Sequence, residues 1–352
     1  MTRLIVFFLL SMCLNSNIYT QNSTFLKRQI ERAIAYENRY DSLKASGFII
    51  GCIDHDSTWI FPIGQASDTQ NQAFGANTYF QIGSLTQTFT AANVLFLVKQ
   101  GILNYDSTVN TYLKPTQRFA AGDQITLLNL VTHTSGLPKF PDDWGEIEQE
   151  KEQPFGHYTE RAFFDFLKRQ DTTHWQTGHY LFSNLNYVLV GNILENVDEE
   201  LWWQPFAKFG DVPLVHGYNL ANKPVEPWQV ASIFQSAVGG CTNMNQLLGF
   251  VQWQLNVDSL DKKGYLKEMQ KPLFPTKTSK HTLVGNGLHI FNEKKHFPIC
   301  MSSGATSGHS VALVFMPQTQ TGVVVLSNNR AIQGGLAMAV LKVLNNNWKR
   351  RS

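Results

Sequence analysis

Gln81-Ile82-Gly83-Ser84-Leu85-Thr86-Gln87-Thr88-Phe89-Thr90-Ala91-Ala92 is the stretch on which the reading of this chain turns. A small-residue turn delivers Ser84 to a predicted helix N-terminus, and apolar residues then recur at three- and four-residue steps through Phe89, Ala92, Leu95 and Phe96. The first amides of a helix and its dipole favour negative charge on a serine oxygen or on an oxyanion beside it. Two readings of Ser84 are open at this point: the N-cap of an amphipathic helix, or a nucleophile.

On the C-terminal side the pattern predicts a helix from Ser84 to Gln100 closed at Gly101, then a short one around Thr108 to Leu113. A further helix follows from Gln124 and is broken by Gly136 and Pro138. His133 and Ser135 fall in that helix-to-loop turn, where such residues are expected to satisfy backbone groups rather than to form a base and nucleophile. On the N-terminal side, Phe25 to Leu43 reads as an amphipathic helix ended by Gly47. Strand-like runs follow at Phe48–Ile53 and Thr58–Phe61, joined by Asp54-His55-Asp56-Ser57, a hairpin turn whose acidic residues and histidine need no metal. Near the chain end, runs at Ser310–Phe315 and Thr321–Leu326 read as paired strands, and Leu336–Leu344 as a helix covering one face of their sheet.

Residues 1–20 carry Arg3, the apolar run Leu4 to Leu10 and a polar tail at Asn15-Ser16-Asn17, the form of a cleavable secretory signal. The run is too short to span a bilayer. A secreted or periplasmic protein is therefore expected, with lipid anchoring through Cys13 a weaker reading because Met12 is bulky where a small residue belongs. Residues 21–352 are within reach of one large domain. The formal charge is +2, and the one basic run is Lys349-Arg350-Arg351, so nucleic acid is not an expected partner. Cys52, Cys241 and Cys300 allow one disulfide at most and read as buried small apolar residues. There is no Cys-x-x-Cys, no His-Glu-x-x-His and no calcium loop, hence no expected metal or cofactor, and no second hydrophobic span to serve as a transmembrane anchor.

The stretches "TYFQIGSLTQTFTAANVLFLVKQGILNYDSTVNTYL", "ITLLNLVTHTSGLP", "HYLFSNLNYVLVGNILENV", "SAVGGCTNMNQLL" and "SSGATSGHSVALVFMPQTQTGVVVLSN", in that order, resemble the serine β-lactamase and penicillin-binding-protein superfamily. The nearest branch is that of class C β-lactamases, D-Ala-D-Ala peptidases and esterases. The resemblance implies an α/β fold in the α+β sense, with an antiparallel sheet flanked by helices and an inserted helical lobe. It puts the α/β lobe at about 21–76 and 235–352, the helical lobe at about 77–234, and the active site in the cleft between them.

The same resemblance implies three motifs, each altered here. The family's Ser-x-x-Lys reads Ser84-Leu85-Thr86-Gln87, which keeps the nucleophile position and replaces the general-base lysine by an amide without a proton-accepting group. Tyr-x-Asn reads Phe182-Ser183-Asn184, keeping the substrate-binding Asn184 and losing the phenol at Phe182. Lys-Thr-Gly, or His-x-Gly in this branch, reads Ser302-Ser303-Gly304, a substrate-binding strand without its charge. His309 is the candidate substitute base because imidazole titrates near neutral pH, although packing as an aromatic would is its plainer role. Gly304-Ala305-Thr306-Ser307-Gly308 lacks the strand-turn-helix context of a nucleophile elbow. After Val197 the segment is short for the family and leaves Trp202, Trp203, Phe206, Phe209 and Trp228, either a repacked core or a recognition patch.

Losing acid/base assistance lowers rates by about 10² to 10⁴. Two functions are thus expected of this cleft. One is a catalytically impaired or inactive family member that binds a small-molecule, peptide-like or cell-wall-derived ligand, or a protein. The other is an active serine esterase or peptidase-type hydrolase using Ser84 with a non-standard base.

Overall fold

Eight strands build the main sheet: β1 (Gly47–Asp54), β2 (Ser57–Gly64), β3 (Phe274–Thr276), β4 (Ser279–Val284), β5 (His289–Phe291), β6 (Ile299–Ala305), β7 (Ser310–Met316) and β8 (Thr321–Ser327), in the antiparallel spatial order β2-β1-β8-β7-β6-β5-β4-β3. The computed structural model describes residues 28–33, 46–66, 73–144, 153–171, 175–197, 207–208, 210–256, 264–276, 279–292, 297–330 and 334–349. The expected signal segment, Cys13, Trp202, Trp203, Phe206 and Phe209 lie outside them. Of the helix expected over Phe25–Leu43, only 28–33 lies inside, and it is helical.

The period of two along the strands explains why the central ones are apolar throughout. In β7, Val311, Leu313 and Phe315 face one core together with Ile49, Val324 and Leu326. Their neighbours Ala312, Val314 and Met316 face the other with Phe48, Ile50, Val323 and Val325. The second face is covered by α6 (Gly334–Lys349) through Leu336, Val340, Leu341 and Leu344, and the first by α5 (Met244–Leu255). A sheet buried on both faces has no position left for alternating polar residues. The two chain ends are stitched here, since β1 pairs with β8 from Phe48↔Ser327 to Asp54↔Thr321, and Gly47 N donates to Asn328 Oδ1 at 2.8 Å. The β1–β2 turn falls at His55-Asp56, with His55 left-handed at φ 56°.

Between β2 and β3 the chain builds a helical core. Its elements include α1 (Thr86–Lys99), α2 (Leu127–Val131), α3 (Glu160–Arg169) and α4 (Asn184–Val197). Val94, Leu97, Leu127, Leu130, Phe163, Phe166, Val188, Leu189 and Phe234 are buried together. Thr126 and Thr159 cap α2 and α3 by accepting from Asn129 N and Ala162 N. The short helix expected around Thr108–Leu113 is a single 3-10 turn, Val109–Thr111. Trp228 packs on Phe155, ring centroids 4.9 Å apart, and its backbone is held by both ends of the Gln81 amide, so this member of the expected aromatic cluster belongs to the helical core. Cys52, Cys241 and Cys300 are buried free thiols. No helix of the described residues is long and apolar enough to cross a membrane.

Candidate active-site cleft

Ser84 lies in a 3-10 turn, Gly83–Leu85, that runs directly into α1. The residues at the N-cap positions are Ile82 and Leu85, and neither start carries a side-chain cap, so Ser84 is not a helix cap. The turn is forced close to β6. Gly83 has φ 49°, and a Cβ there would stand 2.5 Å from Ala305 O. A Cβ on Gly304 would strike Ile82 O and the Leu85 amide. Glycine at both positions lets the serine turn rest on the strand, with no side chain between them.

Helical spacing then sets the first wall of the cleft, because positions three and four residues apart share a face. Ser84, Gln87 and Thr88 all line a cavity of about 530 Å³. Gln87 is 5% exposed and donates through Nε2 to Asn184 Oδ1 at 3.1 Å, which joins the family's first and second motif positions across the cleft floor. Asn184 opens α4. Ser183 Oγ accepts from Leu185 N and donates to Pro138 O, so its hydroxyl is committed to holding the helix start and takes no part in the cleft. Phe182 lines the cavity, its ring 4.7 Å from that of His133.

The opposite wall is β6. Its residues Ser302 to Ala305 pair with β7 on one side, whereas β5 pairs only with Ile299 to Met301. On the cleft side the edge from Ser302 onward has no strand partner among the described residues. Ser302 is buried and its Oγ lies 2.6 Å from Thr88 Oγ1, while Ser303 is exposed.

Two histidines not singled out for the site by sequence complete the lining. His133, at φ 55°, accepts at Nδ1 from Ser183 N (3.2 Å) and lies 3.1 Å from Asn186 Nδ2, which leaves the ring proton on Nε2. Burial, with His289 nearby, pulls its pKa down to about 3. His289, on β5, has its pKa lowered by burial, and its Nε2 is 3.0 Å from Tyr180 Oη. Burial pushes the Tyr180 phenol up to about 12. Both imidazoles are therefore neutral at pH 7. Ser135, by contrast, donates to Asn186 Oδ1 and accepts from Leu137 N, the backbone-satisfying role expected of it.

His309 is not among the residues lining this cavity. Gln81 N donates to its Nδ1 at 3.3 Å, Nε2 lies 3.0 Å from Val215 O, and the ring meets Phe80 edge-on at 5.8 Å. With both nitrogens engaged and burial lowering its pKa to about 4, it serves the core as a neutral aromatic, and no lone pair is left for Ser84. Among the described residues there is no group of His, Cys, Asp and Glu able to hold a metal.

A sequence model of the Beta-lactamase family matches residues 34–342. A beta-lactamase of Pseudomonas fluorescens is 25% identical over 295 residues, 77% of this chain and 75% of that protein. The D-alanyl-D-alanine-carboxypeptidase/endopeptidase AmpH of Escherichia coli (strain K12) is 26% identical over 174 residues, 47% of this chain and 42% of that one. Among solved structures, a beta-lactamase/D-alanine carboxypeptidase from Pseudomonas syringae superposes with a TM-score of 0.75 at 19% identity, covering 90% of this chain and 98% of that chain. A class C beta-lactamase superposes with a TM-score of 0.76 at 20% identity, covering 94% and 98%.

Proposed function

The chain belongs to the Beta-lactamase family of serine hydrolases, and on that footing we propose that it uses the family cleft to bind a peptide-like or cell-wall-derived ligand while its acylation chemistry is impaired. The observation that carries this reading is Gln87. One helical turn after Ser84, the side chain is a buried amide tied to Asn184, and an amide takes up no proton near neutral pH. Phe182 adds no phenol, and Ser302 no charge. What supports binding is the retained framework: a cavity of about 530 Å³, an open strand edge from Ser302, and Asn184 in place. An extended ligand laid along that edge would add a strand to the sheet. Hydrolysis of an activated ester by purified protein, followed beside Ser84→Ala, tests the proposal; the expected rate is that of the variant, and Ser84-dependent turnover would overturn it.

A second reading rests on one observation. His289 lines the same cavity as Ser84, has its pKa lowered by burial and meets Tyr180 Oη through Nε2, so it is the imidazole this reading assigns as the serine's base. It predicts ester turnover lost in both Ser84→Ala and His289→Ala. We also propose export, from the signal-like residues 1–20; protein recovered from its native host should start near residue 21 by N-terminal sequencing, and a start at Met1 would contradict it.

A further inference from the structure

Taking the cleft as a ligand site, we infer that its Ser302 end selects an uncharged ligand terminus bearing an N–H donor, such as a carboxamide, and rejects a carboxylate. Hydrogen-bond direction fixes this. Thr88 has a single hydroxyl proton, and it is donated to Gly287 O at 2.7 Å. The 2.6 Å contact between Thr88 Oγ1 and Ser302 Oγ must then use the proton of Ser302. The relay runs from Ser302 through Thr88 to the Gly287 carbonyl, away from the cavity. The Ser302 hydroxyl offers the cleft only lone pairs, at the position where the family resemblance calls for a cation.

No charged side chain lines the cavity beside it. The described residues lining the cavity include no Lys, Arg, Asp or Glu, and His133 and His289 are held neutral by burial. A carboxylate placed at Ser302 would lose water, meet an acceptor and find no counter-charge, which is the costly case for a buried ion. A carboxamide there donates an N–H to Ser302 Oγ and carries no charge to desolvate. The positive end of α1 acts at Ser84, about one helical turn below Thr88, where a ligand carbonyl would sit. It does not supply the missing cation at Ser302.

The inference rests on the ligand-site reading and is separable from it with one matched pair of probes. N-acetyl-D-alanyl-D-alaninamide and N-acetyl-D-alanyl-D-alanine differ only in the terminal group. Each is titrated into the full chain at neutral pH by calorimetry and amide NMR, for wild type and Ser302→Lys, with thermal melts confirming that the variant is folded. Wild type is expected to bind the amide at least tenfold more tightly than the acid, and Ser302→Lys to reverse the order. Equal or tighter binding of the acid by wild type would overturn the inference and leave the ligand site standing. A folded Ser302→Lys that keeps the amide preference would remove Ser302 as its source. Absence of binding by either probe at millimolar concentration would overturn the ligand-site reading itself.

Discussion

Gln87 and His309 are both buried polar residues whose side chains are held by hydrogen bonds. A lysine and a glutamine differ little in length, so Gln87 fills its place on α1 and still reaches Asn184, while its amide takes up no proton near neutral pH. His309 makes the complementary point, because a titratable ring with both nitrogens bonded and a folded pKa of about 4 is a packing residue at neutral pH. Its burial has a consequence for acid stability. His133 and His309 are depressed below the ordinary 6.5, so the unfolded chain binds more protons as the pH drops. The stability they contribute is complete above pH 6.5 and is lost as the pH falls toward 4 and below. Urea melts from pH 7 to 4 should show falling stability, with a limiting slope of about 1.4 kcal/mol per pH unit for each such histidine. His309→Phe should flatten that slope. Ser135→Ala should cost about 1–3 kcal/mol by leaving Asn186 Oδ1 and Leu137 N short of a partner, without altering reactivity at Ser84.

The contact of the serine turn with β6 is the joint between elements that makes the cleft. Gly83→Ala meets both a left-handed backbone and the Ala305 carbonyl, and Gly304→Ala drives a methyl into Ile82 O. Each should destabilise by roughly 1–3 kcal/mol in equilibrium denaturation, with Gly304→Ala also displacing Ser84. At this level the sequence was legible where the signal is local. The hairpin β1–β2 announces itself by β-branched and aromatic runs around Asp54-His55-Asp56-Ser57, and α1 by its apolar spacing. Ser84 as a nucleophile position became legible only through ordered motifs from distant parts of the chain. The 3-10 start of α1 was hidden, since the same residues suit an α-helical first turn. Strands β3 to β5 carry short, mixed runs such as His289–Phe291, whose pairing depends on neighbours far along the chain. The meeting of Tyr180 with His289, 109 residues apart, leaves no local pattern at all. Nor does sequence tell which way a hydroxyl proton points, and the polarity of Ser302 follows only from the Gly287 carbonyl beyond Thr88.

For the molecule as a whole, the cleft is lined from a sheet covered on both faces and from a helical core. Cys52, Cys241 and Cys300 are buried with thiol pKa values pushed up by burial, so all three should resist a thiol reagent in the native protein and react once guanidinium unfolds it. Rapid native labelling of any of them would show a more open structure. Family membership and fold stand independently of whether the serine reacts; the proposed loss of acylation chemistry rests on Gln87 and Phe182 beside Ser84. Labelling with a fluorescent penicillin, read by gel and intact mass for wild type, Ser84→Ala and the Gln87→Lys, Phe182→Tyr double variant, puts this to the test. The prediction is no Ser84-dependent adduct on wild type and a clear one on the double variant; an adduct on wild-type Ser84 that disappears in Ser84→Ala would contradict it.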